Sequence, residues 1–162
     1  MAMPYETDLG MTIVEYLQVQ HRVFLDQLAV LEDLKNSKKL RDKMVLKYLV
    51  FFIAKILEKH AKLEEEFLFP ELVPSLGEEM GPVRVMEFEH GEIRKILAAL
   101  KETDDSNDIL VETAKFIVFL RDHIVKEEKV LFPLAEEFVE ENRLRAMVKK
   151  AGLVGKRGEA VI

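Results

Sequence analysis

His60-Ala61-Lys62-Leu63-Glu64-Glu65-Glu66-Phe67-Leu68-Phe69-Pro70 closes one long helical pattern. His123-Ile124-Val125-Lys126-Glu127-Glu128-Lys129-Val130-Leu131-Phe132-Pro133 repeats it without a gap. The shared pattern is His-x-x-x-Glu-Glu-x-x-Leu-Phe-Pro. Residues four apart lie on one face of a helix, so each copy aims an imidazole and a carboxylate in the same direction. Two such copies, facing each other across a bundle core, make a set of metal donors.

Around these stretches the apolar spacing predicts four long helices. The first, capped by Thr7 or Asp8, runs to about Leu34 with Val14, Leu17, Phe24, Leu28 and Leu31 as its seam. The second runs from near Lys39 to about Phe69 on Leu49, Ile53, Ile56, Leu63 and Phe67, limited by Pro70 and Pro74. The third runs from Gly81 or Pro82 to Leu100 on Val83, Met86, Ile93, Leu97 and Leu100. The fourth runs from about Asp108 to Phe132 on Thr113, Phe116, Leu120 and Val130, and continues past a kink at Pro133 through Glu136 to Glu141. Residues 142–150 read as a short basic amphipathic helix with Leu144, Met147 and Val148 apolar, followed by a loosely held tail from Gly152 to Ile162.

Short polar connections between these helices imply an all-α, up-down-up-down four-helix bundle with a short C-terminal helix. It forms a single domain over residues 1–162, with its core at about 10–140 and residues 142–162 as a C-terminal extension. A second repeat supports the arrangement. The stretch from His21 to Leu31 aligns with the stretch from His90 to Leu100, sharing the histidine and a Leu-Ala-x-Leu. The first two helices read as a copy of the last two, related by an approximate two-fold axis.

Composition excludes several function classes. The 162 residues carry a formal net charge of -6, which argues against nucleic acid as a partner. The absence of cysteine removes disulfides, thiolate zinc sites, iron–sulfur ligation and cysteine nucleophiles. The longest apolar run, Tyr48 to Ala54, is too short to span a bilayer, and the N-terminus lacks signal-peptide features. A cytoplasmic protein with no membrane partner is the expectation.

Each of the four helices carries one histidine, His21, His60, His90 and His123, in a seam position. A single seam histidine is commonly satisfied by a core hydrogen bond. Four of them with Glu64 and Glu127 would bury charge and unpaired polar atoms together, and a metal resolves both. Imidazole and carboxylate donors without sulfur suit iron, manganese or zinc. Six donors exceed one tetrahedral zinc site and suit two metals between the helices, with a position left for a small molecule if both glutamates bridge. The order His-x-x-x-Glu also differs from the Glu-x-x-His of ferritin-like bundles.

With these residues the chain resembles the hemerythrin family, specifically the hemerythrin-like (HHE cation-binding) domains of bacteria and archaea. The twice-present His-x-x-x-Glu-Glu-x-x-Leu-Phe-Pro carries the resemblance, which covers about residues 10–140. It implies a non-haem, oxo- or hydroxo-bridged centre of two iron ions, with zinc or manganese as substitutes. The implied ligands are His21, His60, Glu64, His90, His123 and Glu127. Oxygen-carrying hemerythrins have a further histidine four residues after the one on the third helix; here that position is Arg94. This departure favours sensing, redox chemistry or iron holding over reversible oxygen storage. Glu65, Glu89 and Glu128 read as solvated surface charges. Phe24, Phe67 and Phe116 read as core, and Tyr16 and Tyr48 as half-buried structural residues.

The expected function is binding or sensing of dioxygen or a related diatomic, or iron handling, with the protein partner unknown. A di-iron oxidase or peroxidase-like enzyme is the first alternative, and an iron- or redox-sensing interaction module using residues 142–162 is the second. A related line of the family repairs iron–sulfur clusters and typically adds a cysteine-bearing N-terminal domain. The lack of cysteine speaks against that role here.

Overall fold

The fold is described from a computed structural model that covers residues 10–38, 43–77 and 81–153. Among these residues all regular structure is helical: α1 (Ile13–Asn36), α2 (Met44–Leu63), α3 (Phe69–Leu76), α4 (Pro82–Glu102), α5 (Ser106–Lys126), α6 (Phe132–Phe138) and α7 (Glu141–Lys150). Two five-residue π-helical turns, Glu64–Leu68 and Glu127–Leu131, join α2 to α3 and α5 to α6. The bundle therefore has four long rods, α1, α2–α3, α4 and α5–α6. The rod α1 packs on α2 and α5, and α4 packs on the same two, while α2 and α5 also meet across the middle.

The first helix begins later than the sequence spacing predicts. Thr12, not Thr7 or Asp8, is its cap; both earlier residues lie outside the described residues. The Thr12 hydroxyl accepts from the Glu15 backbone N–H and the Glu15 carboxylate accepts from the Thr12 N–H, so two otherwise orphaned donors are satisfied reciprocally. The predicted start of the second helix at Lys39 likewise lies outside the described residues, and the observed helix starts at Met44. Of the predicted tail only Gly152 and Leu153 are described.

Neither Pro70 nor Pro74 stops the second rod, which runs on to Leu76 and ends at Gly77, a left-handed residue with φ 83°. Pro70 and Pro133 each sit in the first turn after a π turn, where the missing N–H costs little. The fourth rod ends at Phe138 rather than Glu141, and α7 then starts afresh.

The core seam agrees with the sequence pattern in α1, where Val14, Leu17, Phe24, Leu28 and Leu31 are all buried. In α2 the seam is shifted: Leu46, Val50, Ile53 and Leu57 are buried, while Leu49 and Ile56 flank them half-buried. The buried set keeps heptad phase with His60, at 14, 10, 7 and 3 residues before it. Phe67 and Val130, both expected on the seam, are half-buried and 46% exposed respectively. Each lies three residues after a ligand-type glutamate, where the wider π turn delays the return to the core by one residue. Leu68 and Leu131 are buried in their place.

The core falls into two apolar clusters separated by a polar layer. One includes Phe24, Leu28, Val50, Ile117 and Leu120; the other includes Leu17, Leu68, Phe69, Leu131 and Phe132. Leu144, Met147 and Val148 of α7 belong to the second cluster, so the apolar face of the C-terminal helix covers the end of its own bundle. At the opposite end Lys47 is nearly buried and donates to the Lys101 and Thr103 carbonyls at 3.0 and 2.7 Å, capping α4.

Candidate metal centre

Each long rod contributes one histidine to the polar layer, and α2 and α5 end on its two central carboxylates. His21, His60, His90, His123, Glu64 and Glu127 are all at most 3% exposed. All six predicted ligands are thus brought to one place.

The outward ring nitrogen of every histidine has an acceptor. His21 Nδ1 donates to Glu128 at 2.7 Å and His90 Nδ1 to Glu65 at 2.8 Å. His60 Nδ1 donates to the amide oxygen of Gln20 at 2.8 Å, and His123 Nδ1 to Glu89 at 2.9 Å. A neutral imidazole that donates from Nδ1 has only a lone pair at Nε2. The four Nε2 atoms and the four oxygens of Glu64 and Glu127 then face one another with no donor among them.

This arrangement fits cations. His21 Nε2 and His60 Nε2 lie 3.2 Å apart, two lone pairs in contact. His21 and His123 Nε2 are 3.0 and 2.9 Å from Glu127 oxygens, and His90 Nε2 is 3.3 Å from Glu64. Both oxygens of Glu64, both of Glu127, and Nε2 of His90 and His123 are buried without a hydrogen bond. Donors held about 2.1 Å from one ion lie roughly 3 to 4 Å from each other, which is the spacing seen. The donors form two overlapping sets of four, His21-His60-Glu64-Glu127 and Glu64-His90-His123-Glu127, and the two glutamates belong to both.

Electrostatics point the same way. Burial pushes the Glu64 carboxyl well above its ordinary value, and the charge on Glu127 adds to this. Burial also opposes ionisation of Glu127, but the imidazoles of His123, His21 and His60 outweigh it and hold that carboxyl well below the usual range. The His123 ring is also raised, burial being overcome by Glu127 and Glu89. Without metal, protons take the place of the cations, and metal uptake expels them. The His60 ring is different: burial pushes it down to about 4. In metal-free protein its ring resonances should titrate near pH 4, well below the ordinary value near 6.5. A midpoint near 6.5 by NMR would mean that water reaches the ring.

Three residues read as solvated charges are corrected by this geometry. Glu89 is 5% exposed, and Glu65 and Glu128 have side chains only about a third exposed. Together with Gln20, which the sequence reading passed over, they orient the ligands. Their signal was present in both repeats: the residue after each ligand glutamate, and the residue before His21 and before His90. The rest of the motif also acts on the site. Phe69 stacks on His90 and Phe132 on His21, at ring separations of 5.8 and 5.2 Å. Phe24 meets His60 edge-on at 5.4 Å. Phe24 and Phe116 are core, as expected.

Arg94 stays outside the donor set. It pairs with Glu58 at 3.1 Å and with Glu65, one step out from His90. Tyr48 is 67% exposed and far more open than the half-buried residue expected, whereas Tyr16 is half-buried with its hydroxyl 3.5 Å from the Gln20 amide nitrogen.

The hemerythrin HHE cation binding domain family matches residues 12–135 of this chain. Curated relatives include proteins named iron-sulfur cluster repair protein YtfE from Escherichia coli K12 / DH10B and Shigella boydii serotype 18. Each is 32% identical over 132 residues, covering 72% of this chain and 60% of the relative. The chain therefore spans less than two thirds of the length of these relatives. No solved structure matches it.

Proposed function

Because the chain belongs to the hemerythrin HHE cation-binding family, we propose that it is a non-haem di-iron protein that binds or senses dioxygen or a related diatomic. The observation that carries this reading is the donor-free cage of four imidazole nitrogens and two shared carboxylates, divisible into two four-donor sets. Nitrogen and oxygen donors without sulfur suit iron, and four protein donors per ion leave coordination positions for a small ligand. When bound, the two irons supply the redox chemistry. The protein supplies the dry, apolar wall of Phe24, Phe69 and Phe132 around them, which limits what reaches the centre.

A second reading, iron handling connected with iron–sulfur cluster repair, is favoured by the likeness to the YtfE proteins. That likeness covers only part of their length, so the repair activity of the whole relatives is a proposal here. A cytoplasmic setting accords with the sequence; no helix among the described residues is long and apolar enough to cross a membrane.

Metal analysis of anaerobically purified protein, with absorption spectra before and after air, tests the first reading. Two irons per chain and new near-ultraviolet bands on oxidation are expected. One zinc per chain, indifferent to air, would overturn it. Iron that leaves readily for an apo-cluster acceptor, with no change on exposure to diatomics, would favour the second reading.

A further inference from the structure

The two halves of the cage match, with one exception. His21 and His90 each donate from Nδ1 to a carboxylate, Glu128 and Glu65. His60 and His123 each use the residue that precedes the other histidine of their own repeat. For His123 this is the carboxylate Glu89; for His60 it is the amide Gln20. The position between His90 and His123 is therefore flanked by two carboxylate-backed imidazoles, and the position between His21 and His60 by one.

We infer that the two metal positions are unequal. The one flanked by His90 and His123 fills first and holds its ion tightly; the one flanked by His21 and His60 is weaker and exchanges. Gln20 is the positioning residue that sets the difference. The inference rests on the two-metal reading above.

An imidazole that donates to a carboxylate places more negative charge on its far nitrogen and binds metal better. Loss of such a partner typically costs about 10- to 100-fold in metal affinity. An amide oxygen accepts without charge assistance, and its bond is roughly half as strong. Two cations act in the opposite sense, since Lys126 pairs with Glu89 and Arg94 with Glu65. Their side chains are 48% and 40% exposed, so solvent limits their effect to roughly fivefold at most. The same cations fix the carboxylates in orientation, which favours binding. On the other side Glu128 is held by the Gln18 amide at 3.1 Å, but the Gln20 nitrogen has only the 3.5 Å contact with Tyr16. Charge and orientation together favour the His90–His123 position.

The test is a titration of zinc into metal-stripped full-length chain at fixed pH, in competition with a chromophoric chelator. Zinc has no redox change, so the result reads affinity alone. Two steps separated by about 10- to 100-fold are expected. Gln20→Glu should strengthen the weaker step by about tenfold or more and bring the two together, a gain that Gln20→Ala does not give. Glu89→Gln should weaken the tighter step. Circular dichroism shows whether each variant is folded. Two equal steps in the native chain, or a weak step unmoved by Gln20→Glu, would overturn the inequality and leave the two-metal reading standing. A single step, lost in His90→Ala and kept in His21→Ala, would sink the two-metal count but support the inequality. No zinc uptake would overturn both.

Discussion

Glu64→Gln empties both metal positions at once, yet leaves the metal-stripped protein at least as stable as the native chain. Each histidine serves one set of donors, whereas Glu64 serves both. The carboxylate is fully buried, and burial with the nearby charge of Glu127 drives its pKa well above normal. A carboxyl raised in the folded state contributes stability below its unfolded pKa and loses it as pH rises through the folded pKa. At neutral pH without metal, native Glu64 is thus a burden that glutamine lacks, and the advantage of the variant grows as pH rises from about 4.5. With metal the order reverses. A ligand at a thousandfold excess over Kd stabilises by about 4 kcal/mol per site, so two sites give roughly 8. For a chain of this size that is a Tm difference of roughly 15–30 °C. Thermal melts with metal and with chelator should show this large difference for the native protein and none for Glu64→Gln. Full metal content in the variant would remove Glu64 from the ligand set. Destabilisation in chelator would mean that its charge is well satisfied in the metal-free fold.

Inserting one alanine after Glu66 should be nearly as damaging, although the Glu66 side chain is exposed and Glu66→Ala should change stability by no more than about 0.5 kcal/mol. The five residues Glu64–Leu68 form a π turn in which the Phe69 N–H reaches back to the Glu64 carbonyl. The π turn already holds one residue more than an α turn, and deleting one would close it with Leu68 still on the core face; a further residue cannot be absorbed and rotates everything after it by about 100°. Leu68, Phe69 and Leu72 are at most 2% exposed and would turn out of the core. At about 1.5–3 kcal/mol each, the loss is roughly 5–9 kcal/mol, comparable with the whole stability of a domain. The stacking of Phe69 on His90 would go with them. Denaturant unfolding of the insertion and of Glu66→Ala makes the comparison, and an insertion as stable as the alanine variant would show that the turn does not set the downstream register.

The fold and the gathering of the six candidate donors were legible because each rested on spacing alone. Four seam histidines, two glutamates at i+4 and the repeated Leu-Phe-Pro named all six donors that the structure brings together. The misses share physical causes. Phe67 and Val130 were placed on an unbroken 3.6-residue period, and no propensity announces a π turn. Pro70 was read as a stop because sequence does not show that the helix restarts just before it. Glu65, Glu89 and Glu128 were read as surface charge because a helical glutamate one residue off the seam is usually solvated. Only the position of a neighbouring helix shows that an imidazole waits there. Gln20 was missed for the same reason.

The contacts that support His21 and His90 cross between repeats. Glu65 and Phe69 of the first repeat hold His90 of the second, and Glu128 and Phe132 of the second hold His21 of the first. Neither repeat can loosen without releasing a ligand that belongs to the other. With metal bound, the centre would tie the two halves together and oppose partial opening of one hairpin. Metal occupancy would then bear on the motion of the whole bundle and not of the centre alone.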